Sequence, residues 1–252
     1  QAGKRDQQLQ IISDHMDYDP INPAYFFRGY DAMNSLERMA LSMCRGRILD
    51  VGYGAGSHAL ILQKTQNEVY GVDVSPGAQI VARARGMREA WLNDFYNVSG
   101  TKFDTLLFLM NGLGIAGRFE RFPRFLAKCR ELLNPHGQVI LDSSDLLYLF
   151  EDSDEMDRDD DTSDRWDDDT SNDTIESRDD DTLKKRDDDT FPSYYGNIRF
   201  QFIYNEIVGR PHDWLYLDYV SLEHLAANNG FSAELLMTAP DHSYLARLVN
   251  LK

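Results

Sequence analysis

The chain has 252 residues, 42% of them hydrophobic, enough for one α/β domain with an elaboration or for one large and one small domain. Its formal net charge of −16 is unevenly placed: residues 151–190 carry 20 acidic and 6 basic side chains, and the remainder is nearly neutral. Neither part offers the basic face that nucleic-acid binding requires, and no apolar run reaches the roughly 18 residues that span a bilayer.

The opening QAGKRDQQLQ has no apolar signal-peptide core. It leads into an aromatic, proline-containing stretch, DPINPAYFFRGY. Asn34-Ser-Leu-Glu37 has the pattern of a capping box, and Leu36, Met39, Ala40, Met43 and Cys44 follow at helical spacing, so a helix is expected over 33–45. RILDVG is a short buried strand, followed by a glycine loop and a helix to Gln63. EVYGVDVS is a second strand and 76–86 a second helix; EAWLNDF is a weak third strand, and FDTLLFLMN a strong fourth. A helix over FPRFLAKCRELL, a turn at NPHG and a fifth strand, QVILDSS, complete an alternation that predicts a doubly wound, mostly parallel sheet. Cys44 and Cys129 both fall in helical patterns outside any metal-type cluster, as expected of reduced, buried thiols in a cytoplasmic protein.

The acidic tract breaks the alternation. RDDDT recurs at 158–162, 178–182 and 186–190, with WDDDT at 166–170, at steps too irregular for a solenoid. Like charges repel and few side chains here can build a core, so a disordered insertion is expected. Clustered carboxylates also suit calcium, but the ligand spacing and glycine of an EF-hand loop are absent, and no metal site is assigned. After the tract, NIRFQFIYNEIV and DWLYLDYV read as an antiparallel strand pair joined through GRPH. SLEHLAANNGF reads as a helix stopping at Asn229-Gly230, and AELLMT and SYLARLVNL as two further strands. Four segments are therefore expected. They are an N-terminal lid or extension (1–32), a cofactor-binding Rossmann-like core (33–150), the insertion (151–190), and C-terminal strands and a helix completing the same domain (191–252).

The glycine loop reads ILDVGYGAGSHALIL. Gly52, Gly54 and Gly56 let the backbone turn tightly and approach a ligand, with helix N–H groups facing the same space. The spacing is G-x-G-x-G, not the G-x-G-x-x-G of dinucleotide folds, and Asp50 stands two residues before the first glycine. An acid there repels a pyrophosphate and favours a cationic ligand; S-adenosylmethionine carries an ammonium, a sulfonium and no phosphate. Asp73, ending the second strand, suits the ribose hydroxyls of either ligand. Asp94, after the third, can accept from an adenine amino group.

With these features the chain resembles the class I S-adenosylmethionine-dependent methyltransferases, well over 33–145 and more loosely over the final strands. The resemblance implies that S-adenosyl-L-methionine is the cofactor. It implies that Asp50, Gly52, Gly54 and Gly56 hold its methionine part, Asp73 its ribose and Asp94 its adenine. Asn111 and Gly112 match the family's fourth-strand end, and Pro135-His136-Gly137 its turn before strand five. No Asn/Asp-Pro-Pro-aromatic motif follows strand four, where MNGLG stands, which disfavours methylation of nucleic-acid bases.

Around this loop, Arg28 can pair with the cofactor's carboxylate or form an ordinary salt bridge. His58 either lines the pocket or packs on the helix. Asp142, Ser143, Ser144 and Asp145 end strand five, where they can serve a nucleophile or cap a helix. Tyr194, Tyr195, His212 and Trp214 either wall a substrate pocket or belong to the core. Asp104, at the opposite end of strand four, is structural. No catalytic residue is named. The expected function is methyl transfer to a small-molecule acceptor by in-line displacement. A non-catalytic cofactor-binding or interaction protein and a nicotinamide-dependent oxidoreductase stay as alternatives, and the oligomeric state is open.

Overall fold

The computed structural model describes residues 8–14, 19–151 and 194–251. In chain order these form β1 (Leu9–Ser13), α1 (Ser35–Met43), β2 (Arg47–Val51), α2 (Ser57–Leu62), β3 (Glu68–Asp73), α3 (Pro76–Ala84) and β4 (Glu89–Leu92). There follow β5 (Phe103–Phe108), α4 (Phe122–Leu132), β6 (Leu133–Ser144) and α5 (Tyr148–Glu151). The last stretch holds β7 (Asn197–Tyr204), β8 (Ile207–Val208), β9 (His212–Leu215), α6 (Tyr219–Asn228), β10 (Phe231–Thr238) and β11 (Ser243–Asn250). Short 3-10 turns lie at Pro23–Phe27, Tyr30–Ala32, Phe95–Asn97, Gly112–Ala116 and Phe119–Arg121.

Seven strands make the main sheet in the order β10-β11-β6-β5-β2-β3-β4. The five strands from β6 to β4 run parallel, and β11 is antiparallel to both β6 and β10. This is the expected mostly parallel sheet with antiparallel C-terminal strands. Strand order reverses between β2 and β5, so the crevice for a ligand opens at their carboxyl ends. The sheet is apolar on both faces. On one, Phe95, Phe108 and Phe125 meet edge-on or tilted within a cluster that includes Phe103 and Phe122. On the other, Ile48, Leu107 and Ile140 pack with residues of α1 and α2. Among the described residues no helix is long and apolar enough to cross a membrane.

Local chemistry sets the helix ends. Asn34 accepts from the Glu37 amide while the Glu37 side chain accepts from the Asn34 amide, the capping box expected from the sequence. Ser75 caps α3 ahead of Pro76, and Asp218 caps α6. That second cap corrects the C-terminal reading. The strand expected over DWLYLDYV begins one residue earlier and ends at Leu215 (His212–Leu215), because Asp218 starts the helix at Tyr219. NIRFQFIYNEIV is likewise two strands, turned by Asn205 in the left-handed region (φ 55°). The expected turn at NPHG lies within β6, where His136 takes φ 59°.

β7 pairs with β9, as expected, but also with β8 and with β1 on its other edge, giving a second, four-stranded sheet. The N-terminal and C-terminal segments are therefore hydrogen-bonded to each other. The expectation for the acidic insertion falls, from residue 152 onward, outside the described residues.

Candidate functional site

The glycine loop leaves β2 at the sheet's crevice. Gly52, Gly54 and Gly56 all have positive φ (74°, 52° and 80°), a conformation that strains other residues. Asp73, at the end of β3, ties the loop to its own strand: Oδ2 accepts from the Gly54 amide at 2.9 Å and Oδ1 from the Ser75 amide at 2.8 Å. Gly56 caps α2 and packs against Ala82 and Met87, so a Cβ there would be crowded.

Asp50 ends β2 beneath this loop, with 2% of its surface exposed. Burial raises its pKa to about 6, although nearby His58 and the Ala59 amide act in the opposite sense. Its Oδ2 is buried without a hydrogen-bond partner. A buried carboxylate oxygen left free in this way calls for a donor or cation from outside the chain.

A second carboxylate, Glu37 on α1, gathers three segments. Besides the Asn34 amide it bonds His58 Nε2 at 2.7 Å and the guanidinium of Arg28. Arg28 is thus held in a buried ion pair, its Nη1 donating to Tyr25 O at 2.7 Å and its plane lying over the Tyr25 ring. Its Nε has no partner. Ser57 donates to Phe26 O at 2.7 Å, so the Pro23–Phe27 turn is fastened to α2 as well.

At the end of β5, Met110 and Asn111 both take left-handed backbone (φ 61° and 56°). Asp142 holds that turn, accepting from the Met110 amide at 3.1 Å and the Asn111 amide at 2.7 Å. Burial raises the Asp142 pKa to about 6 even so. Ser143 accepts from the Leu217 amide, and Asp145 from the Leu147 amide and the Tyr195 hydroxyl. Tyr194 and Tyr195 both donate to Asp218, within the seam between the sheets. Asp104 binds the Arg47 amide and Asn134 at the far end of the sheet, in keeping with a structural role.

Trp214 of β9 roofs the crevice. Its indole lies so close to the Gly114 backbone that a Cβ there would strike the ring. Two cavities meet beneath it, sharing Val51, Gly52, Ile115 and Trp214 in their walls. The smaller, about 210 Å³, is bounded by Arg28, Asp50, Gly54, His58 and Met110. The larger, about 540 Å³, is bounded by Asp73, Val74, Asp94, Phe95 and His212. Arg28, Asp50, Gly52 and Gly54 border the smaller of these adjoining cavities, and Gly52, Asp73 and Asp94 the larger. Gly56 and Asn111 do not line it, although Met110 and Gly112 do. Asp94 faces the larger cavity while capping the next turn through the Tyr96 amide at 2.8 Å.

From the sequence Glu37 reads only as a cap, and Val74, Phe95 and Ile115 are not among the expected site residues. Val74 is an apolar residue, 68% exposed, directly after a strand-end acid. That juxtaposition is a readable sign of an apolar ligand surface.

A family model described as a methyltransferase domain matches residues 48–137. Among solved structures, a methyltransferase from Bacteroides fragilis in complex with S-adenosyl-L-homocysteine is 40% identical, with a TM-score of 0.78 over 98% of this chain and 90% of that one. The sugar N-methyltransferase KedS8 from Streptoalloteichus shares 15% identity at a TM-score of 0.55, covering 90% of this chain and 92% of its own. The PH0226 protein from Pyrococcus horikoshii shares 20% identity at 0.53, covering 84% and 86%. These last two likenesses concern the fold alone. No curated protein matches.

Proposed function

The chain belongs to the S-adenosylmethionine-dependent methyltransferases, and on that premise we propose that it methylates a small-molecule acceptor. The enclosure of the site is the observation behind this reading. Phe26 and Arg28 on one side and Trp214 on the other border the smaller cavity beside Met110 and Gly112. The ionised groups around the crevice are mainly carboxylates, which repel a nucleic-acid backbone. With the family assigned, the nicotinamide and non-catalytic alternatives are set aside.

The donor set fits the cofactor. Asp50 Oδ2 and Arg28 Nε, both buried and unpartnered, carry the charges that an amino acid's ammonium and carboxylate need. We assign them to that end of S-adenosylmethionine, with Gly52 and Gly54 giving close approach. Asp73 is assigned to the ribose and Asp94, beside Val74 and Phe95, to the adenine. Gly56 and Asn111 are assigned to shaping the loops around it. We assign residues 33–150 to the cofactor-binding core, 1–32 to an N-terminal lid or extension, and 191–252 to completing the domain.

When bound, S-adenosylmethionine supplies an electrophilic methyl group on a sulfonium. The chain's contribution is alignment and exclusion of water by the Pro23–Phe27 turn and Trp214. Asp142 and His58 are engaged in holding the Met110–Asn111 turn and Glu37. An acceptor whose nucleophile enters unprotonated asks nothing more of them.

Incubation with methyl-labelled S-adenosylmethionine and a cell extract, followed by separation by size, tests the acceptor class. Label is expected in the small-molecule filtrate. Label retained only on protein or nucleic acid contradicts the reading.

Asp50 also makes binding pH-dependent. Only its ionised form attracts an ammonium, and with a pKa raised to about 6 that form is lost as the pH falls through 6. Between pH 7.5 and pH 5, S-adenosylhomocysteine affinity should fall about tenfold. Asp50→Asn should bind weakly at both values, with a flatter profile. Titration calorimetry checks this, and a wild-type affinity indifferent to pH would remove Asp50 from the ammonium site.

A further inference from the structure

A separate cavity of about 450 Å³ lies between α2 and the loop that follows α3. Its charged lining is Arg28, Lys64, Arg85 and Arg88, with no carboxylate among the residues that border it. Glu37 neutralises Arg28, but among the described residues neither Lys64 nor Arg85 nor Arg88 forms an ion pair with a carboxylate.

Arg85 is held in place without being neutralised. Its Nη1 donates to Ala55 O at 2.6 Å and to Ser57 Oγ at 3.1 Å, and its Nη2 to Phe27 O at 3.4 Å. Burial lowers its pKa, as expected for a cation surrounded only by neutral acceptors. Gln63 fixes the facing loop, accepting from the Arg88 amide at 2.9 Å and donating to Gly86 O at 3.2 Å. Among the described residues, Lys64, Arg85 and Arg88 thus border one cavity without a carboxylate partner, and the Arg85 side chain is held by neutral acceptors.

We infer that this cavity is a second ligand site, for a multiply charged phosphate group of a small soluble molecule. Two guanidiniums and an ammonium bordering one cavity are donor types that suit a phosphate oxyanion of charge −2 or more. The glycine loop with its nearby Asp50 is unsuited to the same anion, so the two sites have opposite ligand preferences. The cavity shares only Arg28 and Ser57 with the smaller cavity of the cofactor site. The inference does not depend on any cofactor contact assigned above.

The probe is sodium pyrophosphate, titrated calorimetrically into the full chain at constant ionic strength, with and without saturating S-adenosylhomocysteine. Saturable binding is expected in both conditions, with weaker binding of citrate. The exposed pair Lys64→Gln and Arg88→Gln should together reduce pyrophosphate affinity by about tenfold or more and leave S-adenosylhomocysteine affinity unchanged. Absence of binding, binding unaffected by the double substitution, or binding abolished by saturating S-adenosylhomocysteine would each overturn the site. Citrate binding as tight as pyrophosphate would overturn its assignment to phosphate.

Discussion

Replacing Glu37 with alanine is expected to lower the unfolding free energy by about 3–5 kcal/mol, the usual consequence of removing one partner from a buried charge network. Glu37 is 2% exposed and receives the Arg28 guanidinium, His58 Nε2 and the Asn34 amide. Its loss strands a buried arginine, frees the histidine and opens the capping box. The pH dependence has a definite sign. Burial pushes the Glu37 carboxyl up, but His58, the Asn34 amide and Arg28 outweigh it and hold the pKa below its ordinary 4.5. A depressed carboxylate stabilises the fold above its unfolded pKa, and that contribution fades as the pH falls through the folded value. The gap between wild type and Glu37→Ala should therefore be full at neutral pH and narrow well below pH 4.5. Urea unfolding at several pH values measures it. A loss under about 1 kcal/mol at neutral pH, the range of an exposed pair, would mean the network is not holding the three segments together.

On the proposed ribose assignment, Asp73→Ala should weaken S-adenosylhomocysteine binding by about 100-fold, through loss of two charge-assisted hydrogen bonds to the ribose hydroxyls, partly offset by water. It also releases the Gly54 and Ser75 amides, so the loop loses its anchor. Asp73→Asn keeps one carbonyl oxygen and should fall between the two. Calorimetric titration separates the three proteins, and an affinity for Asp73→Ala within threefold of wild type would show the ribose assignment to be wrong.

The parallel sheet was legible because FDTLLFLMN is apolar from Leu106 to Met110 and RILDV carries Ile48, Leu49 and Val51, a pattern suited to a sheet covered on both faces. The capping box at Asn34 and the glycine loop are local patterns, and local patterns survive in a linear text. The second sheet is another matter. β1 pairs with β7, Leu9 opposite Tyr204, and nothing within either segment names a partner so distant in sequence. DWLYLDYV could be read as strand-forming with Trp214 as a wall of the pocket or a core residue, and the cavities it borders decide between the two. Glu37 was hidden by having an adequate local role: a capping-box acid does not advertise that Arg28 and His58 also converge on it. Asn111 was expected from the strand end. Its left-handed backbone, held by Asp142, is a tertiary arrangement that two ordinary-looking residues, Met-Asn, give no hint of.

The most direct measurement is a crystal structure of the full chain with S-adenosylhomocysteine. The ribose hydroxyls are expected on Asp73, the ammonium within hydrogen-bond reach of Asp50, the carboxylate toward Arg28, and the adenine between Val74, Asp94 and Phe95. The sulfur should face the space beside Met110 and under Trp214. A ribose placed away from Asp73, or a sulfur turned from that space, would contradict these assignments.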